Sequence, residues 1–96
     1  MREFLISKEA DTDLEDISFY TYMNWREKQA VLYLAKLKEC FQTLTDSPTI
    51  GRDASEFSQG LRRFSYESHM IFYVMIDTGI LIVRVLGQQM DYEQHL

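Results

Sequence analysis

Apolar positions in this 96-residue chain change period twice, and the changes divide it into elements. Phe4, Leu5 and Ile6 form a short opening strand, and Ser7 is placed to cap a following helix by accepting a hydrogen bond from a free backbone N–H. On a wheel of about 100° per residue, Ala10, Leu14, Ile17 and Thr21 make one face, with Trp25 close to it. That face is predicted to meet the core. A break over 24–27 precedes Ala30, Leu34, Leu37, Phe41 and Leu44, which recur at spacings of four, three, four and three. This second helix should stop near Asp46 and Ser47, because Pro48 disfavours helical dihedrals before it and cannot donate a hydrogen bond. So short a break predicts an antiparallel helical hairpin.

Residues 47–59 carry no convincing period and read as a long surface loop. Beyond them the period becomes that of strands: 61–66, 69–76 and 80–86, with Tyr66-Glu67-Ser68 and Asp77-Thr78-Gly79 as hairpin turns. The run from His69 to Ile76 is apolar on both alternating faces and so should be a central strand covered on both sides. In the last strand Leu81, Val83 and Val85 alternate with Ile80, Ile82, Arg84 and Leu86, which sets one arginine on an otherwise apolar face. The predicted fold is a single α+β domain over 1–96. It has a short N-terminal strand and a helical hairpin packed on one face of a C-terminal three-stranded antiparallel sheet, with Arg84 on the other face.

Composition narrows the functions available. A hydrophobic fraction of 46% supplies a core, and no apolar run reaches the roughly 18 residues of a membrane span, so a cytoplasmic protein is expected. Ten Lys and Arg against fifteen Asp and Glu give a net charge of −5, which opposes direct nucleic-acid or anionic membrane binding. Cys40 lies on the inward arc of the second helix with no expected catalytic companion, and His69 and His95 lack partners at metal-ligand spacing. Neither a metal nor an organic cofactor is expected.

Two features remain to carry function. Arg62 and Arg84, on strands read as neighbours, could grip a phosphate or carboxylate, or could pair with acids of this chain. Phe19, Tyr22 and Met23 lie at least about 120° from Ala10 on the first helix, and Leu32 is similarly displaced on the second. These four form a second apolar stripe on the solvent side, suited to docking another chain.

The residues also follow a family pattern from end to end. It includes Ala10-x-x-Asp13-Leu14-x-x-Ile17-x-x-Tyr20, Trp25, and Ala30-x-x-Tyr33-x-x-x-Leu37 on the helices, then Ser47-Pro48-x-x-Gly51-Arg52 in the loop. Gly60-Leu61-Arg62, Ser68-His69-x-x-Phe72-Tyr73 and Ile82-Val83-Arg84-Val85-Leu86-Gly87-Gln88-Gln89-Met90-Asp91 complete it. In this pattern the chain resembles the ParE toxins of the ParE/RelE toxin–antitoxin superfamily. The resemblance implies a non-enzymatic toxin that traps DNA gyrase on cleaved DNA. It also implies neutralisation, in a hetero-oligomer, by a ParD-like antitoxin with a ribbon-helix-helix DNA-binding region.

On that reading Arg62, Arg84, Met90, Asp91 and Tyr92 are the candidate gyrase-binding residues, and Phe19, Tyr22, Met23 and Leu32 the candidate antitoxin-binding residues. Two alternatives stand beside it: a RelE-like ribosome-dependent mRNA endonuclease, or a non-toxic relative that only binds antitoxin. For the endonuclease, Tyr92, Asp91 and His95 are the nominal acid–base groups. Gly87 replaces the histidine common in that branch, and Gln89 stands where many relatives are basic.

Overall fold

A computed structural model describes residues 2–96. The opening strand is β1 (Glu3–Ile6), and Ser7 caps the helix after it, its Oγ accepting from the Ala10 N–H at 3.0 Å. Helix α1 (Lys8–Asp46) is interrupted at one residue, Arg26, whose φ of 78° and ψ of 174° turn the chain. The two arms, 8–25 and 27–46, both line one groove over most of their lengths, so they run side by side as the expected hairpin. The break therefore falls within the predicted stretch, but it takes a single residue.

Four strands follow the helix, not three: β2 (Arg52–Asp53), β3 (Arg62–Tyr66), β4 (His69–Ile76) and β5 (Gly79–Gly87). Together with β1 they form one sheet in the order β1-β5-β4-β3-β2. All neighbouring pairs are antiparallel except β1 with β5. Strand β2 was hidden in the stretch read as loop because two residues are too few to show a period. A short 3-10 helix (Tyr92–Gln94) ends the chain.

The sheet is covered on both faces, by different means. The hairpin's inward arc, including Ala10, Leu14, Ile17, Leu37, Cys40, Phe41 and Leu44, packs against Ile71, Tyr73, Ile80, Ile82 and Val85. On the far face a second core holds Ala54, Leu61, Phe72 and Leu86, with Phe57, Tyr92 and Leu96 packed onto it. The connection after β2 and the C-terminal tail therefore cover the face predicted to hold a lone arginine. Trp25 departs from expectation as well: it is 66% exposed, at the last position before the break at Arg26.

Loop 47–51 is pinned from beneath. The buried Tyr73 hydroxyl donates to Pro48 O at 2.8 Å and accepts from the Gly51 N–H at 3.0 Å. A Cβ on Gly51 would land on that hydroxyl, which accounts for the glycine in the Ser47-Pro48-x-x-Gly51 motif.

Candidate functional site

A β-bulge decides where Arg84 goes. In the β4–β5 ladder Phe72 faces Arg84 while Tyr73 faces Ile82, so Val83 is an extra residue. The alternation therefore inverts: Ile82 and Val85 both belong to the hairpin-side core, while Val83 and Leu86 pack on the far side. The simple alternation of the sequence is thus corrected, and Arg84 is not stranded on an apolar face. Its Nε and Nη2 each reach the Asp13 carboxylate at 2.8 Å, and Nη1 donates to His95 O at 2.8 Å. The hydrogen bond to Asp13 is the chief cause holding the Arg84 pKa above its ordinary value.

Arg62 is also engaged, its Nη1 donating to Gly51 O at 2.8 Å. Strands β3 and β5 lie on opposite sides of β4, so Arg62 and Arg84 are not on neighbouring strands, and each serves its own local contacts. The remaining gyrase-site candidates lie on the tail. Met90 is 38% exposed and Asp91 is exposed, whereas Tyr92 is half-buried edge-to-face against Phe72, with ring centroids 5.1 Å apart.

The apolar stripe has a different character. Phe19, Tyr22, Met23 and Leu32 are all substantially exposed, and Phe19 and Tyr22 line a groove of about 580 Å³ between the two arms. Its other apolar walls are Ile6, Leu14, Ala30, Val31 and Leu34, and Asp11, Glu15, Glu27 and Lys38 supply charged groups. Leu32 lines a separate, smaller cleft with Tyr33, Lys36 and Tyr66. The structure therefore joins two of the four candidates in one groove and sets Leu32 apart. Val31, 64% exposed, and Tyr20, 67% exposed, were missed. Val31 was recoverable, since it follows Ala30 by one position and falls beside the inward arc.

A third feature lies where both arms meet the sheet. His69 opens β4, half-buried, and its Nδ1 is 2.6 Å from the Tyr33 hydroxyl. Burial pushes the Tyr33 pKa up and the His69 pKa down, so a neutral phenol and a neutral imidazole share this hydrogen bond. Cys40 is buried, and burial raises its pKa, which is the state of an unreactive thiol. No group of three or more His, Cys, Asp or Glu side chains could hold a metal among the described residues, and no described helix is long and apolar enough to cross a membrane.

The family pattern can now be placed in space. Asp13 anchors Arg84, Gly51 makes room for Tyr73, and Tyr33 meets His69. A family model described as "ParE toxin of type II toxin-antitoxin system, parDE" matches residues 4–92. The chain belongs to the ParE toxin family. It is 37% identical over 94 residues to Toxin ParE1 of Mycobacterium tuberculosis, covering 97% of this chain and 96% of that one. It is 31% identical over 96 residues to Toxin ParE1 of Caulobacter vibrioides, covering 100% and 99% respectively. Among solved structures it is similar to a chain of the chromosomal ParDE TA system from P. aeruginosa, with a TM-score of 0.77 at 17% identity. That match covers 91% of this ParE-family chain and 96% of the other, and establishes a shared fold.

Proposed function

We propose that this ParE-family chain is a gyrase-poisoning toxin, neutralised by a ParD-like ribbon-helix-helix antitoxin whose tail occupies the groove of the helical hairpin. The observation that carries the docking half is the groove itself. Phe19, Tyr22 and Val31 stand exposed along a channel that a partner helix could fill with residues at i, i+3, i+4 and i+7. The ParDE description attached to the similar P. aeruginosa structure supports an antitoxin of this class.

The gyrase half rests on family membership and on the tail. Met90 and Asp91 present accessible side chains; Arg84 and Tyr92 hold the tail through His95 O and Phe72, while Arg62 bonds Gly51 O away from the tail. Two of the three groups an endonuclease would use are engaged locally: the Tyr92 hydroxyl donates to Gln88 O, and the Asp91 carboxylate accepts from the Glu93 N–H. A net charge of −5 also opposes approach to ribosomal RNA. The reading is therefore of a cytoplasmic protein that acts by binding other proteins and makes or breaks no covalent bond.

Purified full-length protein added to gyrase and plasmid DNA tests this. Cleaved DNA should accumulate and supercoiling should fall, and the antitoxin should restore both. Unchanged gyrase at large molar excess, together with degradation of translated mRNA, would replace this reading with the endonuclease. Normal growth on induced expression, with no DNA-damage response, would favour the non-toxic relative.

A further inference from the structure

The two strands at one edge of the sheet bring a second pair of arginines together. Arg52 on β2 and Arg63 on β3 are directly opposite in the antiparallel ladder. Residues so opposed point to the same face, with Cα atoms about 4.5–5.5 Å apart. That face is the one turned away from the hairpin, because the other cross-strand partner of Arg63 is Phe72, which lies in the second core. Like charges in this arrangement repel, and a strand of two residues contributes little to offset them.

Among the described residues no carboxylate forms an ion pair with either arginine. The one ion pair among the described residues is Arg84 with Asp13. Arg63 Nε is buried without a hydrogen-bond partner. The carboxylates nearest in sequence or on the tail are in use: Asp53 accepts from the Ser55 hydroxyl at 2.8 Å, and Asp91 from the Glu93 N–H at 3.2 Å. Arg62, at the adjoining position, faces the other side of the sheet and bonds Gly51 O, so it takes no part.

We propose that Arg52 and Arg63 form a binding site for a phosphate oxyanion on the far face of the sheet. Asp13 shows why phosphate rather than carboxylate fits: Nε and Nη2 of one guanidinium, Arg84, already bond both of its oxygens. Two guanidinium forks on one anion are matched better by a phosphate group, whose additional oxygens let each fork take a pair of its own. Phe72, beside Arg63 and packed edge-to-face with Phe57 and Tyr92, limits water on the buried side. The ligand chemistry is a tetrahedral phosphate oxyanion, common to a small phosphomonoester and to a nucleic-acid backbone.

The test is to titrate isotope-labelled full-length protein with inorganic phosphate, against sodium chloride at matched ionic strength. Saturable shifts are expected at the Arg63 Nε–H, at Arg52 and at the amides of β2 and β3. Arg63→Met, which keeps an apolar stem, and Arg52→Gln should each weaken binding by about tenfold or more through loss of a charge-assisted fork. Both should remain folded, since each removes one of two repelling charges. Should Arg63→Met unfold, Arg63→Lys keeps the charge, loses the fork, and should bind more weakly.

Thymidine 5′-monophosphate and an oligothymidylate separate the sources. Tighter, Arg63-dependent binding of the oligonucleotide supports the site with backbone phosphates as its ligand, and equal binding supports it with a phosphomonoester. The proposal is overturned by a response that does not saturate, by undiminished binding in the variants, or by N-acetylglutamate binding as tightly as phosphate.

Discussion

The Asp13 carboxylate receives both faces of one corner: Arg84 through Nε and Nη2 at 2.8 Å, and the Val85 backbone N–H at 2.9 Å. Pairing of β1 with β5 ends at Ile6 and Ile82, so the β5 edge beyond that point has no strand beside it. Asp13, one turn into α1, takes the place of a strand there. It thereby ties helix, sheet edge and, through the Arg84 bond to His95 O, the C-terminal tail.

Asp13→Ala should therefore destabilise the fold well beyond an exposed ion pair. Asp13 and Arg84 side chains are only 10% and 19% exposed, and removing the carboxylate leaves a guanidinium and a backbone N–H unmatched. A loss of about 3 kcal/mol is expected, by analogy with one-sided deletion of buried pairs. Urea unfolding measures it, and a loss under about 1 kcal/mol would show that solvent replaces the carboxylate.

Most of the architecture was legible because burial follows period. Ala10, Leu14 and Ile17, then Leu37, Phe41 and Leu44, recur as a helix requires, and all six are buried. The central position of β4 was legible for the same reason, since Ile71 and Tyr73 face one core and Phe72 the other. What was not legible depended on single residues. The bulge at Val83 inverts the alternation without any glycine or proline to announce it, so the Asp13–Arg84 partnership could not be read from periods. The far-face core is assembled from Ala54, Phe57, Leu61, Tyr92 and Leu96, which share no period and meet only through the fold. Exposure of the stripe was legible, but its division between two clefts was not, because a wheel says nothing about how two arms are rotated against each other.

Acid should weaken the native state through His69. Burial lowers its pKa on folding, so as pH falls through the unfolded value of about 6.5 the unfolded chain takes up the proton first. The contribution to stability is complete above that pH and is lost as the pH falls towards the folded pKa. Once the ring is protonated, both its nitrogens are donors, so the Nδ1 contact can only donate to the Tyr33 hydroxyl. Tyr33 on the helix and Ser68 on the turn bond it, Tyr20, Asp13 and Asp16 line the adjoining clefts, and among the described residues no carboxylate bonds the ring. Unfolding free energies for wild type and His69→Gln between pH 7 and pH 5 should converge as pH falls. Parallel curves would show that the imidazole is not responsible.

Tail variants should divide by burial. Tyr92→Ala removes a ring packed against Phe57 and Phe72, with centroids at 6.2 and 5.1 Å, and should cost about 2 kcal/mol of stability before any functional effect. Met90→Ala, at a side chain 38% exposed, should change unfolding by less than about 0.5 kcal/mol while reducing gyrase poisoning. Deleting the whole tail would uncover the second core, so lost toxicity in a truncation would report misfolding as readily as a lost contact. Circular dichroism beside the gyrase assay distinguishes them; if Met90→Ala leaves poisoning untouched, the tail is not the contact.

Phe19→Asp should separate binding from folding in the groove. Phe19 is 67% exposed, so a carboxylate there stays hydrated in the free protein and the unfolding midpoint should hardly move. In a complex with a partner helix seated between the arms, the same carboxylate would be desolvated against Tyr22 and Val31 with Glu15 nearby. Replacing a buried aromatic anchor with a charge should weaken antitoxin affinity by about 30-fold or more, corresponding to roughly 2 kcal/mol. Leu32→Asp, in the other cleft, should have a smaller effect if the occupant lies along the groove. Calorimetry with both variants decides the matter. Full affinity in Phe19→Asp with weakened binding in Leu32→Asp would move the antitoxin from the channel between the arms to the cleft beside Tyr33 and Tyr66.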